Sequence, residues 1–179
     1  RGEMGQGVRT VLPRILADEL EADLERVDIV QALADPRYGD QNTDSSRSVR
    51  MLWGPLRQAG AAAREMLVHA AADYWKLPAA QCRARHHAVE HPPSGRRIDY
   101  AQLVARAARL PVPENPPLKD PADFRYIGVS APMRDARDII TGVATYGYDV
   151  RLPGMKYACV ARAPVFDARL RSVDDTAAR

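Results

Sequence analysis

Residues 1–20, RGEMGQGVRTVLPRILADEL, set a glycine-rich loop directly ahead of an amphipathic run. Val8, Val11, Leu12, Ile15, Leu16 and Leu20 recur at helical spacing and form one apolar stripe, so a helix follows the loop. Pro13 fits the first turn of that helix if Thr10 caps it, because a first-turn proline has no N–H partner to lose. A start at Val8 predicts a kink instead. The bare glycines at 2, 5 and 7 let backbone N–H groups approach an anion, and the helix N-terminus adds partial positive charge. Such a loop can hold a phosphate, although glycines that merely turn a chain into a helix are the commoner case.

Downstream, 27–31 alternates and reads as a short strand, and 32–48 is a long polar loop. Its last part, Gln41-Asn42-Thr43-Asp44-Ser45-Ser46-Arg47-Ser48, offers hydroxyl, amide and guanidinium donors at the entrance to a second helix. That makes it a second candidate for a phosphate or pterin edge, against the plainer reading of a solvated N-cap. Val49, Leu52, Trp53, Leu56, Gly60, Ala63, Leu67, Ala70 and Tyr74 share one face of that helix. Residues 59–63 carry almost no side-chain bulk and permit close helix approach, and Gly54-Pro55 predicts a kink or a restart. Trp53, Met66 and Trp75 read as core packing.

A hairpin is expected over 82–98, turning at His91-Pro92-Pro93-Ser94-Gly95. Asp99 and Gln102 form a capping box for a helix through Leu110, with Leu103, Val104 and Ala107 buried. Prolines at 111, 113, 116, 117 and 121 force extended backbone and mark a linker. Beyond it, 143–146 and 157–161 read as strands around a Leu152-Pro153-Gly154 turn. The expected fold class is α+β, with helices on a small mixed sheet. The division is 1–110, a Pro-rich linker over 111–127, and an unfinished second unit over 128–179.

At 179 residues, 46% hydrophobic and 27% charged, the chain is long enough for one domain or one and a part. A net charge of +3 without a basic block does not imply nucleic acid. No apolar run approaches the roughly 20 residues that span a bilayer. Cys82 and Cys159 lack metal or redox spacing. His86 and His87 with His91 do not make a metal set, since adjacent strand residues face opposite ways and no further ligand stands at the right spacing. No sequence feature orients Glu3 or Asp44 as an acid or base, and no Ser-His-Asp or Cys-His arrangement can be argued. The chain opens at Arg1 inside a loop that reads as functional, so it is expected to be a stretch of a longer subunit.

The run EMGQGVRTVLPRILADELEADLERV resembles the cofactor-binding segment of molybdenum hydroxylase large subunits, the xanthine dehydrogenase family. Ser46-Arg47-Ser48-Val49-Arg50 with Trp53-Gly54-Pro55-Leu56-Arg57-Gln58-Ala59-Gly60-Ala61 is similar to the second cofactor loop and helix of its isoquinoline 1-oxidoreductase and aldehyde dehydrogenase branch. The resemblance continues through Leu110-Pro111-Val112-Pro113 and Leu118-Lys119-Asp120-Pro121. It reaches Asp149-Val150-Arg151-Leu152-Pro153-Gly154-Met155, which looks like the opening of a hammerhead-like α/β domain.

The resemblance implies that Gly5, Gln6 and Gly7 line a molybdopterin cofactor, in its cytosine dinucleotide form, and that Thr43, Ser46 and Ser48 contact its pterin or phosphate part. It implies hydroxylation of N-heterocycles or oxidation of aldehydes with water as oxygen source. Electrons would leave through iron–sulfur clusters on a partner subunit, no cluster pattern being present here. The catalytic glutamate would lie in later sequence, and the compartment, periplasm or cytoplasm, stays open. One departure stands out. Where the family tends to have two glycines after the threonine, this chain has Asp44-Ser45, which adds a negative charge and motivates the alternative of a scaffold piece that has lost the cofactor.

Overall fold

The computed structural model describes residues 1–178, which fall into one unit over Arg1–Ala144 and a second that starts at Thr145. In the first, α1 (Val8–Leu20) lies against α2 (Arg47–Trp75), and the C-terminal half of α2 carries the sheet and α3. Gly60 sets the helix crossing. A Cβ there would lie 2.6 Å from the Leu16 carbonyl oxygen and 2.8 Å from Glu19 Cβ, so only a bare backbone fits. Gly60, Ala61 and Ala62 are all buried, as the low bulk of 59–63 predicts.

α1 begins at Val8, with Gly7 as its cap at φ 86, so Pro13 stands inside the helix rather than in its first turn. α2 runs unbroken for 29 residues through Pro55, without the expected restart. Proline removes one N–H, and the turns on either side keep their own bonds.

The sheet comprises β1 (Arg83–Arg85), β2 (Ala88–His91) and β3 (Arg96–Asp99) in that order, every pair antiparallel. It is therefore antiparallel, not mixed. The expected single hairpin is two. β2 and β3 join through the predicted 92–95 turn, while His86 and His87, at φ 47 and 62, make an extra two-residue turn between β1 and β2. Histidine is a poor signal for that left-handed geometry, which explains why the turn is not legible in the sequence.

The capping box at Asp99 and Gln102 is present, opening α3 (Tyr100–Ala107), which ends short of Leu110 and leaves Val104 exposed. Leu67, Val68, Ala71, Val89, Tyr100 and Leu103 form the core between α2, β2 and α3. The strand expected over 27–31 is absent, since that backbone has no ladder partner.

Two acids on α1 are fully buried, Asp18 and Glu19, where the apolar stripe alone would not place them. They fasten the proline-rich segment to the helix pair. Asp18 accepts from the backbone N–H groups of Arg125 (3.1 Å), Tyr126 (2.9 Å) and Ile127 (2.9 Å) and from Lys119 Nζ (3.0 Å). Glu19 accepts from Arg57 Nε (2.6 Å), Arg64 Nη1 (3.2 Å) and Lys119 N–H (3.0 Å). Burial pushes the Asp18 carboxyl up, but those N–H donors and Lys119 outweigh it and hold the acid below its ordinary value. The Arg57 guanidinium lies 5.3 Å from the Trp53 ring and 5.0 Å from that of Phe124, so Trp53 is part of the packing around this network. A short helix, α4 (Ala136–Ile140), closes the unit.

The second unit has a 3-10 turn at Gly147–Asp149 and the predicted turn in which Met155 N–H donates to the Leu152 carbonyl (3.0 Å). The strands expected over 143–146 and 157–161 are not formed. Among the described residues no neighbouring strand stands ready to pair with them, and a lone strand has no ladder.

Candidate cofactor pocket

The 1–7 loop folds around its own acid. Glu3 accepts from the N–H groups of Gly5 (2.8 Å) and Gly7 (3.1 Å) through one oxygen, and from Arg9 N–H (2.9 Å) through the other. Partial burial raises the Glu3 carboxyl, yet the backbone donors prevail and keep it below its ordinary 4.5. The N–H groups expected to meet an external anion are thus occupied by Glu3. Gln6 also closes the loop, its Oε1 accepting from Met4 N–H (2.7 Å) and its Nε2 donating to the Gly2 carbonyl (2.9 Å).

The 41–48 loop comes to the same place. Thr43 Oγ1 donates to the Gly2 carbonyl (2.8 Å), and Arg1 bridges to Asp40 (3.3 Å) and to the Asn42 carbonyl. Between the loops is a cavity of about 450 Å³ lined by Met4, Gln6, Gly7, Val8, Val11, Thr43, Asp44, Ser46, Ser48 and Val49. Five of the six residues anticipated for cofactor contact, Gln6, Gly7, Thr43, Ser46 and Ser48, therefore share one cavity. Gly5 does not line it; at φ 95 it serves the turn.

The chemistry of these walls fits an anionic, donor-seeking group. Ser46 opens α2 at φ 54 without capping it through its side chain, so no side chain competes at the N-terminus of a long helix. Ser46 and Ser48 both line the cavity, and so do Val8, Val11 and Val49, which give it apolar surface. The charge of Asp44 is answered on the spot, because Arg47 Nε lies 2.7 Å from its carboxylate. The Asp44-Ser45 departure thus adds a paired acid rather than a free one. Ser45 takes φ 44, the left-handed region a glycine would favour.

The residue that sequence reasoning missed is Glu3, which folds back on the loop and whose role there has no signal in spacing or composition. Two of the histidines hold structural bonds. His91, buried, pairs with Ser94 (2.7 Å) and Gln81 (3.1 Å), and His87 Nδ1 accepts from Asp23 N–H (3.1 Å).

Residues 2–150 match the family described as a molybdopterin cofactor-binding domain. The chain is 36% identical to the beta subunit of isoquinoline 1-oxidoreductase from Brevundimonas diminuta, over 99% of its own length and 28% of that protein's. It is 37% identical to a membrane-bound aldehyde dehydrogenase (pyrroloquinoline-quinone) of Gluconacetobacter polyoxogenes, over 100% of its length and 24% of the relative's. Identity to a subunit of nicotinate dehydrogenase from Pseudomonas putida is 32%, over 90% of the chain and 14% of that protein. The chain therefore spans 28% or less of each of these relatives. With two donor loops on one cavity and the match running through both, the chain belongs to the molybdopterin cofactor-binding domain family, in the isoquinoline 1-oxidoreductase and aldehyde dehydrogenase branch of the xanthine dehydrogenase superfamily.

Proposed function

We propose that this chain holds the pterin and phosphate part of a molybdopterin cofactor within the large subunit of an oxidoreductase that hydroxylates N-heterocycles or oxidises aldehydes. The observation that carries the reading is the shared cavity of Gln6, Gly7, Thr43, Ser46 and Ser48 at the uncapped start of α2. Ser46 and Ser48 would donate to phosphate oxygens, Thr43 would hold the two loops together through Gly2, and Val8 and Val11 would exclude water from one side of the ring. Gly5 would contribute by shaping the turn. When bound, the group would supply oxygen transfer from water and two-electron redox chemistry at its metal.

The layout that goes with this reading is a cofactor-binding segment over 1–110, a proline-rich linker over 111–127 and the opening of a hammerhead-like domain over 128–179. The cofactor form would be the cytosine dinucleotide, and the electron path would run to iron–sulfur clusters on a partner subunit. One relative's name carries pyrroloquinoline quinone, so the cofactor itself is the first thing to measure. The full-length protein, expressed in a host that makes molybdopterin, is expected to carry molybdenum and a pterin with a cytosine nucleotide. Ser46→Ala with Ser48→Ala is expected to lower pterin content severalfold without changing the fold. A wild-type preparation free of pterin, or one carrying quinone in its place, would overturn the reading.

A further inference from the structure

β1 is a free edge of the sheet, since the strands run in the order β1-β2-β3. Its pairing fixes where its backbone points. With a two-residue turn at His86 and His87, Arg85 and Ala88 close the hairpin and exchange both hydrogen bonds, as do Arg83 and Glu90. Ala84, opposite Val89, falls between these pairs, so its N–H and C=O point away from β2. Neither group has a hydrogen-bond partner among the described residues. Along this edge runs a groove of about 1030 Å³, lined by all three residues of β1, by Val68 and His69 of α2, and by Lys119 and Arg125. No residue of β2 or β3 lines it, so it lies on the unpaired side of β1. The edge is also left positive. Arg83 Nη2 is 3.4 Å from Glu90, whose carboxylate Arg97 already holds at 2.5 Å, and Arg85 is exposed with no acid paired to it among the described residues.

We propose that this groove takes an extended segment of the large subunit from outside residues 1–179, which pairs with Ala84 as a fourth strand and sets a carboxylate opposite Arg85. Unpaired edge backbone is a template for strand addition, and opposite charges across a ladder favour the pairing. The chain spans 28% or less of its relatives, so a subunit of that kind has ample polypeptide to supply the strand. An edge of three residues offers few backbone bonds. They suffice for a segment of the same polypeptide, whose covalent connection raises its effective concentration. A separate partner needs about 1,000 Å² or more of buried surface, which so short an edge does not provide. A second copy meets a further obstacle: β1 paired with β1 about Ala84 sets Arg83 directly against Arg85 of the copy, and like charges so placed destabilise a ladder. The inference does not rest on the pterin reading.

The test is residue-resolved hydrogen exchange on the full-length subunit, free of its partners. At a bare edge Ala84 N–H exchanges fast between slow neighbours, because the Arg83 and Arg85 N–H groups are bonded to β2. With the strand in place all three are slow, whatever the protein concentration. Arg85→Glu should speed exchange at Ala84 severalfold and leave Leu103 of α3 unchanged, while Arg85→Lys should keep Ala84 slow. A photocrosslinker introduced at His86 should capture a peptide from outside residues 1–179. Fast exchange at Ala84 in the wild-type subunit, or protection that needs a second subunit or grows with concentration, would overturn the proposal. So would an unchanged Ala84 rate in Arg85→Glu, or capture of a peptide within residues 1–179. Pterin content does not enter these readouts, so this inference and the cofactor reading fail separately.

Discussion

Ser45 and Ser46, at φ 44 and 54, bend the second loop into the start of α2 in a conformation that L-residues adopt at a cost. Ser45→Gly is expected to stabilise the chain by about 1 kcal/mol, read as a raised melting temperature, because glycine enters that region freely. Glu3 acts in the first loop as an internal anion, and its lowered carboxyl value gives the sign of its pH dependence. The stabilisation is complete above the ordinary 4.5 and fades as pH falls through the lowered value, when protonation takes away an acceptor of three backbone N–H groups. Faster amide exchange at Gly5, Gly7 and Arg9 in Glu3→Gln would check it; unchanged exchange would show that the loop holds without the charge. The glycines and hydroxyls of the site were legible, since composition marks donors. The occupant of the glycine nest was not, because a lone glutamate has no periodic signal.

At the scale of elements, the α1–α2 crossing depends on a missing side chain. Gly60→Ala should destabilise by about 1–3 kcal/mol, since its Cβ would meet backbone that cannot swing aside. Asp18→Ala should cost more, about 3–5 kcal/mol, by stranding three backbone N–H groups against the helix; urea unfolding measures both. The hairpin at His87 predicts a different dependence. Burial lowers the His87 value below 6.5, helped by Arg26 and opposed by Asp99 and Asp23. Its stabilisation is present above pH 6.5 and is lost as pH falls through the lowered value, because protonation ends the bond from Asp23 N–H. His87→Asn keeps an acceptor and tolerates left-handed backbone, so melting temperature should lose that slope. Helices with capping or periodic signals were readable in advance. The strands expected at 27–31, 143–146 and 157–161 were not realised, because alternation shows a residue's willingness to pair and says nothing about a partner.

Across the whole molecule, the division at Ala144 and Thr145 predicts that limited trypsin digestion trims the second unit at sites such as Arg151 and Lys156 and leaves residues 1–144 protected. Equal cutting within α2 would contradict it. The two buried acids could not be inferred from a hydrophobic stripe, yet they decide that the proline-rich segment lies along α1. α2 has one more implication. At about 1.5 Å per residue its 29 residues form a rod of roughly 43 Å, with Ser46 and Ser48 at one tip and the sheet-bearing core at the other. A ligand gripping the first tip adds its binding free energy to the cooperative unfolding of everything threaded on that rod. A filled pocket should therefore be detectable as slower amide exchange in β2, far from any atom the ligand touches.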